Sequence, residues 1–237
     1  MKLDLITVET GPEPTHAVVW LHGLGADGHD FEPVVPHLKR EDMPDLRFIF
    51  PHAATRPVTI NGGMVMRAWY DILGLDLNSR VDEAGIRHSA ALVTEILEQQ
   101  EAVGIPASRT VLAGFSQGGA VALLLGLTYA KPLAGIMALS TYLPLADKLA
   151  AERGSASQQV PIFWGHGTAD PVVAHQLGAQ SAQQLRDWGY AVGWHEYQVA
   201  HGVHPDEIAD IGRWLAGVCA GPAPGRVGGV GGATADP

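Results

Sequence analysis

Apolar residues along this chain follow two rhythms. Short, mainly apolar runs sit at His16–Leu21, Leu46–Phe50, Thr110–Phe115, Leu133–Leu139 and Val160–Trp164, and Ala191–Gln198 reads as a last strand. Runs of this length, bounded by Gly, Pro and polar clusters, read as strands buried on both faces. Between them lie longer stretches with helical spacing. In Val81–Val103, Ile86, Ala90, Val93, Ile96 and Leu97 recur along one side, and Gly104 and Pro106 end the stretch. Ala120–Leu127 reads as a short apolar helix, and Pro205–Cys219 as a last one. Pro171 is expected to open a helix running to about Trp188. Strand and helix signals alternate, which predicts an α/β fold with a mostly parallel central sheet and helices on both faces.

Length and composition fit one such domain over 1–220. The chain has 237 residues, 46% of them hydrophobic, enough to bury a substantial core. The end, from Gly221 to Pro237, is rich in Gly, Pro and Ala without periodicity and is expected to be a disordered tail. Net charge is -10 and the basic residues are scattered, so nucleic acid is not an expected partner. No apolar run approaches the length of a membrane span. The N-terminus lacks the apolar segment of a signal peptide. The single cysteine, Cys219, excludes an internal disulfide and fits a reducing, cytoplasmic setting. Its bland reading is a small apolar residue on the last helix.

The chemistry concentrates at Thr110–Val121. An apolar β-rich run meets Gly114-Phe115-Ser116-Gln117-Gly118, and an apolar helix follows. GxSxG alone is a common string. Between a strand and a helix it is the nucleophile elbow, a turn so tight that glycines must flank the serine. A serine nucleophile needs a base, and the base needs an orienting acid. In this architecture both follow on later loops at strand carboxyl ends. Asp170, after Gly165-His166-Gly167, is the acid best placed; its competing reading is a helix N-cap. Asp187 and Asp210 fall within helices, and Asp147 follows the wrong strand. His201 and His204 both lie on the loop after the last strand. His201 comes first among small neighbours and is the favoured base, while His204 reads as the entry to the last helix. His166 and His195 read as structural. Two backbone N–H groups must hold the oxyanion. One is expected from Gln117, the residue after the nucleophile, and one from Leu24 in the early loop His22-Gly23-Leu24-Gly25.

Two other signals fail on context. Gly23, Gly25 and Gly28 match a dinucleotide fingerprint, but the second strand ends at Pro51 with no ribose-binding acid. His201, His204 and Asp206 lack a further clear ligand for a metal.

The residues also carry a family resemblance. Leu21–Phe31, Gly62–Asp71, Gly114–Gly119 and Gly165–Val173 together resemble the acyl-protein thioesterase/carboxylesterase family of serine α/β-hydrolases, close to its bacterial carboxylesterases. The likeness runs from about residue 14 to 217. It implies an α/β-hydrolase fold, Ser116, Asp170 and His201 as triad, and Leu24 and Gln117 as oxyanion hole. It departs at Val199-Ala200-His201, where the family usually has Met-Gly-His, and this keeps His204 open as the base. It implies that the apolar insertion Pro57–Leu75 meets the acyl chain, with Met66, Trp69 and Tyr70 as substrate-binding residues. The other reading of Trp69 and Tyr70 is that they anchor the insertion to the core. The expected activity is hydrolysis of short- to medium-chain carboxylic esters, with no metal or organic cofactor. The alternative is an acyl thioester or lysophospholipid substrate with the same triad; a remote one is an inactive scaffold used for binding. A monomer or homodimer is implied.

Overall fold

The computed structural model describes residues 2–74 and 81–221. The expected tail therefore lies, after Gly221, outside the described residues. In chain order the elements are β1 (Leu5–Glu9), β2 (His16–Leu21), α1 (Val35–Leu38), β3 (Leu46–Pro51), β4 (Thr55–Val58), β5 (Met64–Arg67), α2 (Glu83–Ala102), β6 (Thr110–Phe115), α3 (Gln117–Thr128), β7 (Gly135–Leu139), α4 (Ala146–Glu152), β8 (Ile162–Gly167), α5 (His175–Asp187), β9 (Val192–Tyr197) and α6 (Pro205–Cys219).

Seven strands form one sheet in the order β1-β3-β2-β6-β7-β8-β9. Every neighbouring pair is parallel except β1 with β3. Period-two alternation divides the core. Val19, Leu21, Leu112, Ile136 and Trp164 pack with α2, α3 and α5 residues on one face. Val18, Trp20, Phe48, Phe50, Met137 and Phe163 pack with Leu38 of α1 and Ile211 and Leu215 of α6 on the other. This is the expected α/β sheet with helices on both faces.

The departures have physical reasons. β1 is an edge strand, half buried and antiparallel, so its residues never form a continuous apolar run. β4 and β5 pair as a separate hairpin inside the insertion after β3. Pro171 does not open a helix: α5 begins at His175. The intervening turn is held instead by Asp170, whose Oδ1 accepts the N–H groups of Val172 (2.8 Å) and Val173 (2.9 Å).

The strand order fixes where a site can form. From β2 the chain leaves toward β3 on one side, then returns to place β6 on the other side of β2. The loops after β2 and β6 thus diverge at the carboxyl edge, which opens a crevice between them.

Candidate active site

Ser116 sits at the head of that crevice, between β6 and α3. Its backbone is held at φ 52°, ψ -118°, a conformation a non-glycine residue adopts only when its surroundings impose it. Those surroundings are visible. A Cβ on Gly114 would lie 2.3 Å from the Gly118 carbonyl, and one on Gly118 would lie 2.5 Å from the Leu21 oxygen. The turn is pinned further by Ser116 N–H to the Leu139 carbonyl (2.8 Å) and by the Thr141 hydroxyl to the Ser116 carbonyl (2.7 Å). The start of α3 lies behind the serine, where its dipole favours developing negative charge.

Three side chains from three loops meet here. His201 Nε2 lies 2.9 Å from Ser116 Oγ, and His201 Nδ1 lies 2.7 Å from Asp170 Oδ2. The carboxylate is fully buried and saturated: Oδ1 takes the two turn N–H groups and Oδ2 takes His201. Asp170 is therefore a local cap and the partner of His201 at once. The His201 ring rests against Phe115, centroids 4.8 Å apart. Beside Asp170 lies His166, buried, donating through Nε2 to the Val173 carbonyl (2.9 Å) and 3.6 Å from Asp170 Oδ2. Burial holds its pKa below the usual imidazole range.

His204 has a different place. Its Nδ1 accepts the Asp206 N–H at 3.2 Å, and Glu207 accepts the His204 N–H at 3.3 Å, a capping box at the start of α6. It is the entry residue of the last helix and makes no bond to Ser116. His195 stacks on Phe163, centroids 4.5 Å apart.

Across the crevice runs the loop after β2. His22 is buried in it, and burial depresses its pKa to about 4. Its Nε2 accepts the Ala53 N–H (3.0 Å), so Nδ1 carries the proton and donates to the Gly23 carbonyl (2.7 Å). In a trans peptide the N–H points opposite to the C=O. The Gly23 carbonyl turned toward the His22 ring therefore turns the Leu24 N–H the other way. Among the described residues that N–H has no protein acceptor. The next one, Gly25 N–H, is taken by the Arg67 carbonyl at 2.9 Å. The dinucleotide-like glycines open no helix: Gly28 is required because a Cβ would lie 2.5 Å from the Phe50 oxygen. Among the described residues no cluster of His, Cys, Asp and Glu could hold a metal.

The insertion places its aromatics differently from a substrate wall. Trp69 and Tyr70 are 1% and 2% exposed, and both act as anchors. Trp69 Nε1 donates to the His22 carbonyl (2.9 Å), and the Tyr70 and Tyr142 hydroxyls meet at 2.8 Å. Their burial supports the anchoring reading of these two side chains. Met66 is half buried, and its sulfur lies 3.7 Å from where a Gly25 Cβ would be. Among the described residues, the exposed large apolar side chains of the insertion are Met64, Val65 and Leu73. The Gln117 side-chain amide accepts the Trp69 N–H and donates to the Tyr70 carbonyl, a clamp that left no sequence signal because it joins residues far apart in the chain.

Sheet order, elbow and flanking helices define an α/β-hydrolase fold. Residues 4–218 match the family model described as Phospholipase/Carboxylesterase, and the chain belongs to that family of hydrolases. It is 42% identical to "Acyl-protein thioesterase 1" of Neurospora crassa over 85% of this chain and 86% of the relative. It is 37% identical to the protein of the same name from Cryptococcus neoformans, over 91% and 98%. Among solved structures it resembles Arabidopsis thaliana SOBER1, with TM-score 0.81 and 30% identity, covering 86% of this chain and 98% of the other.

Proposed function

We propose that this protein is a serine acyl hydrolase that cleaves acyl thioesters, with carboxylic esters turned over by the same machinery. The observation that carries the reading is the continuous hydrogen-bonded path Ser116–His201–Asp170. His201, oriented by Asp170, takes the Ser116 proton as the oxygen attacks the acyl carbonyl. The Leu24 and Gln117 N–H groups hold the oxyanion. His201 then protonates the departing thiol or alcohol. Water, deprotonated by His201, releases the acid and regenerates Ser116. Met66 forms part of the apolar wall beside the acyl chain.

The thioester is placed first because the curated relatives are named acyl-protein thioesterases. This reverses the order expected from the sequence, in which short- to medium-chain esters led. The ester reading stays as the second because the family description itself names carboxylesterases. The deciding experiment compares an S-acyl peptide with p-nitrophenyl acetate, butyrate and octanoate, using wild type and Ser116→Ala. Ser116→Ala is expected to abolish turnover of all four; retained activity would sink the triad. A higher kcat/KM for the S-acyl peptide supports the thioester, and a preference for acetate or butyrate supports a small-ester carboxylesterase.

A further inference from the structure

The two proposed oxyanion donors lie on separate loops, which touch directly where Gly118 packs on the Leu21 and His22 carbonyls and Gly23 on Phe115 and Ser116. Residues 69 and 70 add a second, hydrogen-bonded link. Gln117 Oε1 accepts the Trp69 N–H at 2.8 Å, and Gln117 Nε2 donates to the Tyr70 carbonyl at 2.7 Å. The amide of the elbow residue thus grips one peptide segment at both ends. The indole of the same Trp69 donates to the His22 carbonyl at 2.9 Å, and its ring lies 5.2 Å from the His22 ring. His22 in turn fixes the Gly23 carbonyl and with it the direction of the Leu24 N–H. Ser89 closes the assembly from α2, donating its hydroxyl to the Trp69 carbonyl. Trp69, Gln117, His22 and Ser89 are all buried, so these bonds are not exchanged with water.

We infer that Trp69 is a positioning residue, a spacer that sets the separation of the Leu24 and Gln117 N–H groups through its indole N–H and its own backbone. The inference rests on the serine-hydrolase reading above and deepens it. A spacer of this kind acts on the tetrahedral state, where the oxyanion occupies the hole, and hardly at all on the bound substrate.

The experiment is Trp69→Phe, which keeps an apolar ring and removes the indole N–H. With a p-nitrophenyl ester, kcat is expected to fall roughly 10- to 100-fold, with KM changed less than about twofold. Inhibition by an alkyl boronic acid, whose adduct on Ser116 places an oxygen in the hole, is expected to weaken by a similar factor. Gln117→Met breaks the same link from the other side, keeps the Gln117 N–H and is expected to show the same signature; it carries the test if Trp69→Phe does not fold. Tyr190→Phe is the control for lost stability. It deletes a buried hydroxyl pair with Ser157 (2.8 Å) before β8 and β9, at the edge of the sheet opposite the site, and should leave kcat unchanged. Folded Trp69→Phe and Gln117→Met with wild-type kcat and boronate affinity would overturn the spacer. So would a loss confined to KM. A wild type without Ser116-dependent turnover is a different result, and removes the hydrolase reading together with the spacer.

Discussion

Single atoms decide most of the elbow. Gly118 is the sharpest case, because an added Cβ would press on the Leu21 and His22 carbonyl oxygens at 2.5 and 2.6 Å. Neither oxygen belongs to a flexible side chain, so the backbone itself must move. Gly118→Ala is expected to cost about 2–4 kcal/mol in urea unfolding and to reduce kcat through displacement of the loop after β2. Gly217 makes the opposite case. It is exposed on α6 with nothing within 4 Å of its Cβ position. Gly217→Ala should stabilise the protein by about 0.5–1 kcal/mol, because alanine loses less backbone entropy in a helix. A measured loss would mean the helix end is not as open as its geometry implies.

At the scale of elements, the His201 loop depends on how α6 begins. His204 and Glu207 cap that helix reciprocally, three residues beyond His201 in the chain. His204→Ala is expected to lower stability by about 1 kcal/mol and to leave most of the activity, whereas His201→Ala should abolish it. If the two variants lose activity equally, His204 has a part in the chemistry. The entry to α5 gives a related lesson. Proline after Asp170 suggested a helix start, and the acid suggested either a cap or a triad member. Its two carboxylate oxygens face different partners, so it serves the turn and His201 together. The β4–β5 hairpin was illegible for a simpler reason. Its four-residue strands, TRPV and MVMR, are too short and too mixed to show a period.

Over the whole molecule, two buried titratable groups pull stability in opposite directions with pH. Burial raises the Glu207 carboxyl to about 7, so between about 4.5 and 7 the folded chain keeps a proton that the unfolded chain has released. Stability from this group falls as pH rises through that window, by up to about 3 kcal/mol. Burial lowers His22 to about 4, so between about 6.5 and 4 the unfolded chain binds a proton that the folded chain refuses. Stability from this group falls as pH drops through its window, by a similar amount. The two offset each other where the windows overlap. Glu207→Gln should leave the opposite slope, set by His22 together with other imidazoles that burial lowers, such as His166. Urea unfolding at pH 5 and pH 8 then shows the variant gaining more stability than wild type on going to the higher pH. Parallel profiles for the two proteins would refute the assignment.

What this sequence determined by itself was everything encoded by local pattern. Strands buried on both faces must be largely apolar, so five sheet strands stood out, and the half-exposed edge strand β9 was placed by the alternation of strand and helix. A serine on a strained turn demands small flanking residues, so Ser116 was marked by Gly114 and Gly118. His201 and Asp170 were legible because chain order along a parallel sheet sends successive loops to the same edge. The tertiary structure alone decided the rest. It set His201 against Ser116 and His204 at the start of α6, since only packing shows which ring reaches the serine and which caps a helix. It made Trp69 and Tyr70 anchors by enclosing them, and burial is a property of the surroundings, not of the residue. It joined Gln117 to Trp69 across 48 positions of chain, a hydrogen bond between residues with no local relation for a pattern to record.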